Sequence, residues 1–207
     1  MRKTIRSGFS LAVVAALLIG VSCWAHIARA AVHTADSPPG DIAAGAWQHH
    51  KVSFNYVGFT ALYTCAGLED QVRQILLYLG ARKDVHVSAR GCPGPFDTPS
   101  HNASVDADFY TLAPVAGAGA SDTVKARWTA FELTPRHPRF MGDGDCELTE
   151  SMKDLITKNF SLREIEYRTN CYPNAFNPDS FAVKAQALRA LPQTSTASRI
   201  APVASPY

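Results

Sequence analysis

The chain has 207 residues, of which 46% are apolar, 10% aromatic and 18% charged. This composition is too apolar for a disordered chain, and it supplies one compact core or two small ones. The formal net charge of +2 does not indicate a nucleic-acid-binding protein, and no specific catalytic or cofactor motif occurs, so we predict neither nucleic acid nor a cofactor as partner.

The first 30 residues have the three parts of a secretory signal peptide. Three basic residues within 2–6 precede an apolar core over 11–21, and the Ala-Arg-Ala sequence of 28–30 fits the small-x-small rule for cleavage. We therefore predict a signal peptide over 1–30 and a periplasmic or secreted protein with no membrane span after cleavage.

Two alternatives remain for this segment. The uncharged run 7–27 is long enough to stay as a membrane anchor, and Cys23 is a candidate lipoprotein cysteine, although the usual leucine three residues earlier is absent. Cleavage would lower Lys plus Arg from 20 to 16 against 18 Asp plus Glu, which leaves a net charge of −2. It would also remove Cys23 and leave four cysteines, Cys65, Cys92, Cys146 and Cys171.

The first half of the mature chain shows four elements. Residues 31–46 are small and contain Pro and Gly, which predicts a flexible arm. Alternation of apolar and polar residues predicts strands over 50–57, 84–91 and 103–112. Between the first two strands, an apolar stripe at helical spacing predicts a helix over 65–80.

The same order of elements follows a second time after the loop 113–122. We predict a strand over 124–133, a helix over 146–160, and strands over 162–170 and 181–188. The segment 191–207 is predicted to be a disordered tail.

Each half has a cysteine at the start of its helix and another just after the following strand. The two helices share their first four apolar offsets, and the cysteines of each half are 27 and 25 positions apart. We infer two βαββ units from a duplication, 50–112 and 124–188, within one domain over 47–190. A chance match of two amphipathic helices is the alternative.

The predicted fold class is α+β, a two-layer sandwich with two helices on one face of a mostly antiparallel sheet. It resembles ferredoxin-like sandwiches in architecture only. The other face would be polar and would either bind a ligand or partner or carry solvated ion pairs. Its residues are Ser53, Asn55, His86, Ser88, Arg90, Asp106, Asp108, Tyr110, Lys125, Arg127, Thr129, Glu164, Glu166, Arg168, Lys184 and Gln186.

Helix geometry favours disulfides within each half. A helix that connects two strands runs antiparallel to the second strand, so its start lies near the end of that strand. The first helix would be about 24 Å long, and the strand after it about 26 Å. This match predicts the pairs Cys65–Cys92 and Cys146–Cys171, with structural rather than redox or metal-binding roles.

The histidines give no clear metal site. His49 and His50 are adjacent on a strand and should point to opposite faces. His101 and His137 lie in separate loops and would have to converge on one metal, so we predict none.

An acidic cluster precedes and begins the second helix. Its D-x-D spacing suggests calcium, but the other EF-hand positions are absent. We favour helix capping, with Asp145 as the N-cap residue. The cluster consists of Asp143, Asp145, Glu147 and Glu150.

These features favour an exported, disulfide-stabilised protein that acts without chemistry as a binding or envelope assembly factor, with an unknown protein or envelope component as partner. The alternative is a small envelope hydrolase or metal-dependent enzyme. Convergence of His101, His137 and the acidic cluster on one cavity would favour the enzyme. A third possibility is a subunit that pairs through its sheet edge or its open face.

Overall fold

A computed structural model describes residues 42–92, 98–115, 123–175 and 180–192, so the predicted signal peptide, Cys23 and most of the predicted tail lie outside the described residues. None of the described helices is long and apolar enough to cross a bilayer. The elements are β1 (Ile42–Val57), α1 (Cys65–Leu79), β2 (His86–Arg90), β3 (Asn102–Pro114), β4 (Thr123–Leu133), α2 (Cys146–Ser151), α3 (Lys153–Asn159), β5 (Leu162–Thr169) and β6 (Phe181–Ala190).

The six strands form one antiparallel sheet in the order β2-β3-β1-β4-β6-β5. We call the described residues up to 115 the first half and those from 123 onward the second half. In both halves the first strand lies at the centre of the sheet, the third strand beside it, and the second strand at the edge.

The two halves meet through a short pairing of β1 with β4. Ala44 pairs with Lys125, and the flanking pairs are Ala43 with Ala126 and Gly45 with Val124. These five β1 residues, from Ile42 to Ala46, belong to the segment predicted as a flexible arm, so the end of that segment is instead the strand that joins the halves.

The ferredoxin-like sandwich with two helices on one face is wrong. The structure is mainly a six-stranded antiparallel sheet with few, short helices, and the second predicted helix divides at Met152 into α2 and α3. The Thr149 and Ser151 hydroxyls donate to main-chain carbonyls four residues earlier, at 2.9 and 2.8 Å. Such bonds compete with the helical pattern and bend short helices.

The first helix agrees with its prediction. Thr64 is the N-cap residue and accepts a hydrogen bond from the Gly67 N–H at 2.9 Å. Gly80 follows the helix at φ 105°, a left-handed conformation that glycine adopts without a steric penalty. The apolar stripe is buried against the sheet and consists of Leu68, Val72, Ile75, Leu76 and Leu79.

A second, smaller apolar cluster lies on the sheet face opposite the main core. Trp47 pairs with Leu112 across β1 and β3, and Trp128 pairs with Leu188 across β4 and β6. Because side chains alternate along a strand, Trp47 shares its face with Lys51 rather than with the residues that pack in the main core.

The predicted polar face is therefore wrong on β4. Trp128 belongs to the second cluster, which places Lys125, Arg127 and Thr129 on the same face as Phe131 of the main core. Alternation reveals that a strand has two kinds of face, but not which face is covered. At Ala126 and Trp128 of β4, the buried side chains lie on the face opposite the main core.

Candidate functional site

The expectation of two disulfide bonds is confirmed. Cys65 is bonded to Cys92 and Cys146 to Cys171, with Cα atoms 5.7 and 5.5 Å apart. Each bond joins the first residue of a helix to the segment just after the next strand, as the geometry of the sequence favoured. Both helix starts are thereby fixed at the same end of their following strands.

Glu147 is a buried carboxylate of the second half that holds a loop of the first half. Its side chain accepts the N–H groups of Phe59 and Thr60 at 3.0 and 2.9 Å, and lies 3.2 Å from the Thr60 hydroxyl. Only 7% of Glu147 is exposed. Charged acceptors form stronger hydrogen bonds than neutral ones, so this contact fixes the main chain of the loop.

Asp145 makes a similar connection between the halves. Its carboxylate accepts hydrogen bonds from the Gln71 side chain and the Gly142 N–H, both at 2.7 Å, and from the Tyr63 hydroxyl. Burial raises the pKa of Asp145 above its usual range, and these hydrogen bonds act in the opposite direction. Burial and the nearby Asp145 also raise the pKa of the Tyr63 hydroxyl.

The loop that Glu147 holds carries exposed apolar side chains. Phe59 is 50% exposed, and Tyr172, from the segment after β5, is 56% exposed. Thr60 joins the two segments, since its hydroxyl lies 3.3 Å from the Tyr172 carbonyl oxygen and accepts the Asn174 N–H at 3.1 Å. We call this surface the aromatic end, and its members are Val57, Phe59, Leu62 and Tyr172.

The acidic cluster does not act as a helix cap through its side chains. Asp145 occupies the N-cap position, but its side chain makes no capping hydrogen bond, so that part of the interpretation is wrong. Asp143 forms an ion pair with Arg136, whereas Glu150 lies 3.5 Å from the Thr169 hydroxyl. Only Asp145 and Glu147 are buried, and both contact the first half of the chain.

The histidines of β1 lie on opposite faces of the sheet. His49 contacts Asp108 at 2.6 Å and stacks on Tyr110. His50 lies 2.9 Å from the Thr111 hydroxyl, which itself donates to a main-chain carbonyl, so the His50 ring nitrogen is the donor. Burial, followed by the charge of His49, lowers the pKa of His50.

The loop histidines do not share a cavity with the acidic cluster. His101 is bonded through Nδ1 to the Gly58 carbonyl oxygen at 2.8 Å. His137 lines a cavity of about 410 Å³ with Glu132 and Glu164, and no described lining residue of that cavity belongs to the acidic cluster. Among the described residues, no group of three His, Cys, Asp or Glu side chains is arranged to hold a metal ion.

The polar face predicted on β1, β2 and β3 carries cross-strand pairs. Asp108 contacts His49 and Lys51, which lowers the pKa of its carboxyl. Asp106 accepts the Ser53 hydroxyl at 2.5 Å and pairs with Arg90. Both carboxylates of β3 thus have cross-strand partners, Asp108 on β1 and Asp106 on β1 and β2, in the arrangement expected of a solvated sheet face.

The sequence did not predict the aromatic end, and it did not predict that Glu147 binds the main chain of its loop. Phe59 and Tyr172 lie in short loops without periodicity, 113 positions apart, and nothing in the pattern indicates that Thr60 joins these two loops. No protein-family model, curated protein or solved structure matches this chain.

Proposed function

We propose that the protein is an exported, non-catalytic binding protein, and that the aromatic end is its contact surface. The main observation behind this proposal is that Glu147 fixes the main chain at Phe59. A buried carboxylate accepts the Phe59 and Thr60 N–H groups, although the Phe59 side chain is half exposed. Burying a carboxylate costs free energy, so an exposed aromatic held in this way is typical of a surface prepared for contact.

The chemistry of the aromatic end favours a polypeptide partner. Aromatic anchors surrounded by uncharged polar groups are typical of the centre of protein interfaces. The neighbouring described residues Thr60, Asn102 and Asn174 carry no charge, and Arg90, which lines a cavity with Val57, is paired with Asp106. A surface for anionic lipid would instead need a cluster of lysine and arginine side chains around the apolar tip. We therefore propose a partner that presents apolar side chains to Phe59 and Tyr172.

The location and the origin of the chain form part of the proposal. Two disulfides are typical of the periplasm or the extracellular space, which supports the signal peptide predicted over 1–30. The pairing of β1 with β4 supports duplication. A shift of 81 positions relates Trp47 to Trp128 and Cys65 to Cys146. The same shift takes position 43 to 124 and position 126 back to 45, so it relates the pair Ala43–Ala126 to the observed pair Gly45–Val124. The contact between β1 and β4 is therefore symmetric under exchange of the two halves.

The enzymatic alternative has less support. His101, His137 and the acidic cluster are dispersed over separate contacts, whereas an active site needs its acids, bases and substrate cavity to converge. Pairing through the β5 edge has little support either, because a bulge between Arg163 and Glu166 interrupts that strand, and such bulges protect edges.

Site-specific photo-crosslinking in the native host tests the contact surface. A benzoylphenylalanine replaces Phe59 in one variant and Tyr172 in another, and matched controls carry it at Asp154 and Lys158, which are exposed on α3. We expect one discrete protein adduct, the same from both positions of the aromatic end and absent from both controls.

Two results would contradict the proposal. Equal adducts from the aromatic end and from α3 would show random collisions. Adducts with lipid alone would show that the aromatic end contacts a membrane rather than a protein.

A further inference from the structure

A second candidate site lies at the opposite end of β1 from the aromatic end. Trp47 and Val57 are ten positions apart on this strand, which corresponds to about 33 Å. Near Trp47, where β4 begins and β6 ends, the structure contains a cavity of about 950 Å³. Its size is at the upper end of the range of small-molecule sites.

The wall of this cavity is mostly apolar, but it also carries two cations. The described lining residues are Trp47, Lys83, Thr123, Val124, Lys125, Ala190, Leu191 and Pro192. Within the described part of the chain, neither Lys83 nor Lys125 has a carboxylate at ion-pair distance. The nearby Asp84 is paired with Arg82 at 2.6 Å.

The lysines come from different elements, so their meeting at one cavity is a tertiary arrangement. Lys83 follows α1, and Lys125 lies on β4 with its side chain on the face opposite Val124. Both Val124 and Lys125 line the cavity, so it reaches both faces of the sheet where β4 begins and β6 ends. Trp47 packs against the second apolar cluster, and the Arg82 guanidinium lies 5.7 Å from its ring. The cavity thus offers positive charge beside an apolar wall.

We propose that this cavity binds an organic anion with an apolar body, such as a medium-chain carboxylate. Lys83 and Lys125 would neutralise the anionic group, and the chain would lie against Trp47, Val124 and Leu191. An inorganic anion would leave the apolar wall in water, and an uncharged alkyl chain would leave the lysines without a partner. The ligand therefore needs both parts.

Calorimetric titration of the purified protein with decanoate tests this site. We expect saturable binding, weakened at least about tenfold by Lys83→Ala with Lys125→Ala, and unchanged by the matched pair Lys153→Ala with Lys158→Ala on α3. Decanol and inorganic phosphate should each bind more weakly than decanoate. In a background with Trp24→Phe and Trp128→Phe, which leaves Trp47 as the single tryptophan of the sequence, decanoate should change the fluorescence.

Several results would overturn the proposal. Equal affinity in both double-lysine variants would exclude Lys83 and Lys125 as the anion site. Binding by phosphate as strong as by decanoate would exclude the apolar part. Loss of decanoate binding in Phe59→Ser with Tyr172→Ser would place it at the aromatic end. Binding to phosphatidylglycerol vesicles without binding of free decanoate would indicate a membrane surface. Failure of this site would leave the photo-crosslinking test unaffected.

Discussion

The two halves have the same order of elements but differ in how their helices are held. In the first half, α1 has 15 residues, a side-chain N-cap at Thr64 and a left-handed glycine at its end. In the second half, α2 has six residues, and Asp145 does not cap it through its side chain. Instead, Asp145 and Glu147 bond to the first half. The second half therefore has a shorter helix without a side-chain cap, and its acidic side chains instead fix the loop that carries Phe59.

The face without helices also differs between the halves. In the second half, Trp128 is 5% exposed and the Arg163 guanidinium lies 3.8 Å from its ring. The corresponding Trp47 is only partly buried. We expect Trp128→Ala to lower the free energy of unfolding by about 4 kcal/mol, and Trp47→Ala to have a smaller effect. Urea unfolding of both variants measures the difference, and equal losses would contradict the comparison.

Removing one disulfide at a time should also reveal a difference in stability between the halves. Each bond closes a loop of similar length, so each should contribute about 3 kcal/mol through the unfolded state. We expect Cys146→Ala with Cys171→Ala to cost more than Cys65→Ala with Cys92→Ala, because α2 is short and lacks a side-chain cap. Urea unfolding under non-reducing conditions gives both values. A larger loss in the first half would show that α2 does not depend on its bond.

The sequence was most informative where a pattern is local. The period of α1, the glycine at its end and the spacing of the cysteines lead to the observed helix and bonds. The sequence was least informative where tertiary packing determines the structure. Periodicity over 146–160 did not show that the helix divides at Met152, and alternation on β4 did not show which face carries the second apolar cluster. The contact of Glu147 with Phe59 joins residues 88 positions apart and has no local signal.

The pH dependence of stability should distinguish Asp145 from the exposed carboxylates. Its raised pKa means that the folded state binds more protons than the unfolded state above about pH 4. Its contribution to the free energy of unfolding therefore increases as the pH falls from 7 towards 4. We expect the stability of the natural protein relative to Asp145→Asn to increase over this range, measured by urea unfolding.

Asp154 is the matched control for this experiment. Lys158 lowers the pKa of Asp154, so its contribution is lost as the pH falls, and the comparison with Asp154→Asn should have the opposite sign. The same sign for both variants would show that burial does not dominate at Asp145.

The smallest effect should come from the polar face of the first half. Asp108 contacts His49 and Lys51 but is 40% exposed, and exposed ion pairs contribute little. We expect Asp108→Asn to change the free energy of unfolding less than any of the substitutions above. Thermal unfolding at low and high salt measures this, and a loss as large as that of Trp128→Ala would show that this face has a structural role.

The central claim is that Glu147 holds the main chain under an exposed aromatic side chain. Amide hydrogen exchange at Phe59 and Thr60 tests it without knowledge of the partner. We predict slow exchange at both amides in the natural protein, faster by roughly tenfold or more in Glu147→Leu, and unchanged in the matched variant Glu150→Leu. The amides of the buried α1 residues Val72 and Ile75 should keep their protection in both variants. Exchange of Phe59 and Thr60 at the rate of an unstructured chain in the natural protein would contradict the claim.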